Sequence, residues 1–177
     1  MALSSADQKY ETGDYKGAID DYNKAIEINP QDAAAYNNRG LAKYELNDIH
    51  GAIDDYNKAI EINPQDGDAY NNRGRAKYFL WDYQGAIADH NKAIEINPQS
   101  AIAYTNRGSA KRGLGDQQGA IADFNKAIEI NPQEATAYDN RGSLKEKSGD
   151  YKGAIDDYTK AIEINPQYAY AYYNRGV

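Results

Sequence analysis

Hydrophobic and polar positions alternate in this chain with two superimposed periods. From Gly51 to Gln65 the sequence runs Gly-Ala-Ile-Asp-Asp-Tyr-Asn-Lys-Ala-Ile-Glu-Ile-Asn-Pro-Gln. Its apolar residues Ala52, Ile53, Tyr56, Ala59, Ile60 and Ile62 recur at steps of three and four, which places them on one stripe of a helix. Asp54 and Lys58 stand four apart in the favourable acid-first order, on a more solvated face. The small residues Ala52 and Ala59 let a neighbouring helix approach closely. Asn63-Pro64 ends the helix, because a residue before proline is pushed out of helical geometry. Near copies of the block begin at Gly17, Gly85, Gly119 and Gly153. The chain's five prolines, Pro30, Pro64, Pro98, Pro132 and Pro166, are spaced 34 residues apart. A fixed period of this size is the signature of a stacked repeat array.

The other half of the period, Ala33 to Glu45, contains no proline and follows Asp32, a side chain suited to capping a helix start. Asn47, Gly13, Gly115 and Gly149 occupy the position where a left-handed residue closes a helix. Each period is therefore expected to be helix, turn, helix, turn. One such hairpin cannot cover its own apolar face, and stacking on its neighbours does so.

Counted from Ala33, the residues Tyr36, Gly40, Ala52, Tyr56, Ala59 and Pro64 stand where the tetratricopeptide repeat (TPR) has aromatic, Gly, Ala, aromatic, Ala and Pro. The chain resembles that family along essentially its whole length. The resemblance implies an all-α fold, a right-handed α-solenoid of helix hairpins, and a protein-binding role. Two departures are systematic. Arg39, Arg73, Arg107, Arg141 and Arg175 take a usual Leu position, and Lys43, Lys77, Lys111 and Lys145 a usual Tyr position. In this the chain looks like the Asn-Arg-Gly variety common in bacterial TPR proteins. The expected organisation is a single array: residues 1–32 with an atypical first helix, then 33–66, 67–100, 101–134 and 135–168, and a half repeat at 169–177.

Composition narrows the function. The 41% hydrophobic content and 17 tyrosines fit a layered helical core. The chain has no cysteine, which excludes disulfides and thiolate chemistry. A net charge of −7 and a pI near 4.8 argue against nucleic acid as a partner, since that demands a basic face. No apolar run approaches the roughly 18 residues needed to cross a bilayer. Met1 to Glu11 lacks the apolar core of a signal peptide, so no membrane association and a cytoplasmic location are expected.

Catalytic chemistry finds no foothold. His90 replaces the aromatic of a second helix and is expected inside; His50 should be exposed at a helix start. No cluster has metal-ligand spacing and no phosphate-binding or nucleophile motif occurs, so neither enzyme activity nor a cofactor is expected. The recurring Asn38, Asn72, Asn106, Asn140 and Asn174 are better candidates. By the family's geometry they line the concave face formed by first helices, where amides pair with the backbone of an extended peptide; the alternative is that they only solvate the helix. Specificity would come from neighbours that vary: Asn37, Asn71, Thr105, Asp139 and Tyr173, then Leu41, Arg75, Ser109 and Ser143, then Tyr44, Tyr78, Arg112 and Glu146. The two-carboxylate clamp of the family's chaperone-tail binders keeps only its Asn here.

The favoured function is a scaffold binding a peptide or partner protein in the groove. The alternative is a structural or self-assembling module, natural or engineered, with no external ligand. Three further expectations follow. Arg39 and Lys43 need counter-charges, and Asp55 on the facing helix supplies one. Arg73 with Asp89, Arg107 with Asp123 and Arg141 with Asp157 repeat this structural pair. Trp81 stands at the helix-closing position, where positive φ is unfavourable for a bulky residue; either that turn differs locally or an aromatic patch is displayed. Finally, Tyr168, Tyr170, Tyr172, Tyr173 and Val177 crowd a short last helix without its partner, which predicts self-association, as a homodimer by symmetric tail-to-tail pairing or by stacking on the first helix of another copy; the alternative is a frayed, monomeric terminus.

Overall fold

The computed structural model describes residues 4–167, organised as two compact units, Met1–Ile96 and Asn97–Val177. Every regular element among the described residues is α-helical, and none of those residues forms a strand. The first unit holds α1 (Ser5–Glu11), α2 (Tyr15–Ile28), α3 (Ala33–Glu45), α4 (Ile49–Ile62), α5 (Gly67–Phe79) and α6 (Tyr83–Ile96). The second holds α7 (Ala101–Gly113), α8 (Gln117–Ile130), α9 (Ala135–Lys147) and α10 (Tyr151–Ile164). The chain is an all-α helical-repeat solenoid. The tyrosines expected to drive self-association, Tyr168, Tyr170, Tyr172 and Tyr173, lie with Val177, Asn174 and Arg175 outside the described residues.

Local chemistry sets the boundaries. Asp48 Oδ1 accepts from the Gly51 backbone N–H at 3.0 Å, and Asp14, Asp82, Asp116 and Asp150 do the same for their own helices. Each caps an orphan donor of the first turn. At the other end the Asn of Asn-Pro is the C-cap, and its side chain accepts from the backbone two residues on, as Asn63 does from Gln65 at 3.2 Å. That closes the turn between hairpins. The shortened α1 is held by a capping box between Ser4 and Asp7.

Successive helices pack on one another within each unit, and first helices also meet, α3 with α5 and α7 with α9. The interior is built largely from alanine and a few rings. Ala52, Ala59, Tyr56 and Ile49 are buried in the first unit, and Ala120, Ala127, Phe124 and Leu144 in the second. The two helices of a hairpin approach closely at Gly40: a Cβ there would stand 2.6 Å from Tyr56 Cε1. The same contact recurs between Gly74 and His90, Gly108 and Phe124, and Gly142 and Tyr158. His90 thus sits fully inside, and His50 is exposed.

Candidate functional site

The arginines at apolar-type positions are built into a repeated joint. Arg39 Nε and Nη2 donate to the two carboxylate oxygens of Asp55 at 2.9 and 2.5 Å. Lys43 Nζ reaches Asp55 Oδ2 at 2.8 Å, a direct ion pair and not only an edge contact. The guanidinium also lies over the Tyr36 ring at 5.3 Å, and its Nη1 donates back to Asn23 Oδ1 of the preceding hairpin at 2.7 Å. Asp55 is only 4% exposed, so its charge is held by two cations rather than by water. Arg73, Lys77, Asp89 and Asn57 repeat the joint. In the second unit Arg107 and Lys111 meet Asp123, and Arg141 and Lys145 meet Asp157, with Arg141 also on Asn125. At the start of the chain Ser5 stands in for the arginine. Its hydroxyl donates to Asp21 at 2.9 Å, and Lys9 pairs with the same carboxylate at 2.6 Å. These bonds hold the Asp21 carboxyl far below its ordinary range, Lys9 contributing most. On the solvated side, Lys58 pairs with Glu61 at 3.0 Å, the longer acid one turn ahead, instead of Asp54.

The first-helix face carries the asparagines. Asn72 Nδ2 donates to Asn37 Oδ1 of the preceding repeat at 3.1 Å. Asn38 donates to Asp7 at a long 3.4 Å, and Asn140 to Ser109 Oγ at 3.4 Å, while Arg112 Nη1 donates to Asn140 Oδ1 at 2.9 Å. Asn106 is half-buried on α7. Asn38, Asn72 and Asn140 are thus each bonded to a side chain of a neighbouring repeat within their own unit. Of the variable positions beside it, Asn37, Thr105 and Asp139 are buried and Asn71 half-buried; burial places the three between packed helices more than on an open surface. Farther along, Arg75 lies over the Tyr44 ring at 4.9 Å and Tyr78 packs on Tyr83 at 5.4 Å. In the first unit a cleft of about 230 Å³ opens on this face, lined by Asp7, Tyr10, Glu11, Tyr22, Asn38 and Leu41. Tyr22 donates to Asp7 Oδ1 at 2.6 Å. That bond is the main reason the Asp7 carboxyl sits below its ordinary value, while burial, followed by the Asp7 carboxylate, pushes the Tyr22 hydroxyl up.

Asn23, Asn57 and Asn125 were not singled out from sequence, although they recur with the 34-residue period. That recurrence was the available signal; Thr159 interrupts it in the last repeat. At Trp81 the turn does not differ: φ is 65°, against 64° at Asn47, and the same backbone bonds close it. The indole is 77% exposed.

Comparison with known sequences agrees with this architecture. A TPR repeat profile matches residues 6–47 and 146–177, a tetratricopeptide repeat profile residues 33–66 and 101–134, and another residues 55–88. No curated protein sequence matches the chain. Among solved structures, MamA is 27% identical with a TM-score of 0.79, the match covering 96% of this chain and 99% of that one. YrrB, a TPR protein with an unusual peptide-binding site, is 23% identical with a TM-score of 0.73 over 97% of this chain and 89% of its own. The first TPR domain of Spaghetti (RPAP3), solved with the HSP90 peptide SRMEEVD, is 24% identical with a TM-score of 0.65, over 67% and 94%. With repeat profiles spread over most of its length and hairpins of the matching architecture, the chain belongs to the tetratricopeptide repeat family.

Proposed function

We propose that the chain is a non-catalytic protein-interaction scaffold that takes an extended segment of a partner along its first-helix face. The observation that carries this reading is the pre-set amide row. Asn72 uses one amide N–H on Asn37, and an amide has a second N–H and a carbonyl oxygen to offer. A row oriented by its own neighbours needs little further ordering to meet a peptide backbone, which lowers the cost of binding. The cleft beside Asn38 and Leu41 gives one side chain of the ligand a place to enter. The same fold carries a peptide-binding site in YrrB and holds a peptide in RPAP3.

A second reading, a module that serves only architecture, is favoured by the same bonds seen from the other side, since Asn72–Asn37 and Asn140–Ser109 link repeats. Selection of peptides from a random library on the whole chain separates the two. The scaffold reading expects enriched peptides whose affinity falls about ten-fold in Asn38→Ala/Asn72→Ala, the loss of one or two hydrogen bonds, while helicity is kept. No enrichment, or affinity indifferent to the change, selects the architectural reading.

A further inference from the structure

Trp81 combines three features that packing does not explain. Its backbone is left-handed, with φ at 65°, where four equivalent turns place Gly or Asn. A bulky residue is strained in that region. Its ring is 77% exposed, so burial does not offset the strain. Nor is the ring isolated. It meets Tyr83 edge-on at 6.0 Å, and Tyr83 packs on Tyr78 at 5.4 Å. Phe79, 52% exposed, meets Tyr44 at 6.2 Å, which sets the turn after α3 beside the turn after α5. Two groups of rings, Tyr44 with Phe79 and Tyr78 with Tyr83 and Trp81, thus meet at the adjacent residues Tyr78 and Phe79 on these turns.

The exposed charged residues of the two turns are acidic. Glu45, Asp48 and Asp82 are all exposed on these two turns, in a chain of net charge −7. Rings of this kind hold cations, and the surface already does so within the chain: Arg75 lies on the Tyr44 ring at 4.9 Å. An indole is the strongest cation acceptor among aromatic side chains.

We propose that the paired turns after α3 and α5 dock an arginine- or lysine-bearing segment of a partner protein. Its cation stacks on Trp81 and Tyr83, and Glu45, Asp48 and Asp82 complement its charge. This surface borders the variable positions beside the amide row at Tyr44 and Tyr78, but its centre at Trp81 and Tyr83 lies outside them, and the proposal does not depend on the row.

Trp81 is the chain's only tryptophan, so its emission reports the surface directly. A short oligo-arginine peptide added to the whole protein should change that emission saturably, and salt at about 0.5 M should weaken the effect by screening. An oligo-proline peptide should leave emission unchanged. Trp81→Gly and Trp81→Asn remove the ring without altering charge, and both suit a left-handed turn, so both should melt no lower than the parent. Labelled oligo-arginine should nevertheless bind each about five-fold more weakly. Equal affinity for parent and variants would mean general charge attraction and overturn the proposal. So would an emission change driven by oligo-proline, or by protein concentration alone.

Discussion

At Asp55 two cations converge on one buried carboxylate, and this makes the joint asymmetric. Removing Arg39 leaves Asp55 with Lys43; removing Asp55 leaves Arg39 and Lys43 facing each other in a half-buried site. Asp55→Ala should therefore cost about 3–5 kcal/mol, the range for stranding buried charge, and Arg39→Ala distinctly less. Urea unfolding of the two variants and their double mutant checks this, with a coupling of about 1 kcal/mol or more expected for groups in direct contact. Gly40→Ala should cost about 1–3 kcal/mol by overpacking, because its methyl would enter the Tyr56 ring; denaturant midpoints decide. The pairing of Arg39 with Asp55 was legible in the sequence, since charges at customarily apolar positions require a partner at a definable place. The third partner, Asn23, was not. A polar residue on an exposed helix face looks the same whether it binds water or an arginine sixteen residues on.

For the helices themselves, length and phase followed from the sequence because proline, cap and stripe agree at every repeat. The exception is α9. Its N-cap Glu134 makes no side-chain cap bond, whereas Asp32 accepts from Ala35 N–H at 3.0 Å and Ser100 from Ala103 N–H at 3.3 Å. Its longer side chain turns to Thr136, whose side chain and backbone hold its pKa down, while burial, the larger effect, raises it. Glu134→Asp should restore the cap and add about 1 kcal/mol, read as a higher melting temperature. The turn at Trp81 shows the limit of local inference. Residue preference alone could not decide between a changed turn and a strained one, because the backbone bonds that close the turn, not the residue, set its conformation.

Over the whole molecule, protons test the packing at both extremes. The Asp7 carboxyl lies below its ordinary 3.8, so its contribution is present above that pH and disappears as pH falls through the depressed value. Asp7→Asn should flatten the acid limb of the stability curve. The Tyr22, Tyr56 and Tyr158 hydroxyls are pushed well above their ordinary 10.0, burial first. Their contribution is present below pH 10 and is lost as pH rises through the raised values. Phenolate absorbance should therefore show at least three of the 17 tyrosines ionising only as circular dichroism reports unfolding. How much of the amide row's role could be foreseen is set by geometry: Asn72 was identifiable by recurrence, but its bond to Asn37 depends on how adjacent first helices meet. The arginine joint has one more consequence. Each copy seen at Arg39, Arg73 and Arg141 contacts its own hairpin and the one before it, with distances alike to within about 0.2 Å. A duplicated or deleted stretch of gene encoding one period would therefore arrive with its junction already matched. Such a protein can be lengthened or shortened by whole repeats without inventing a new contact.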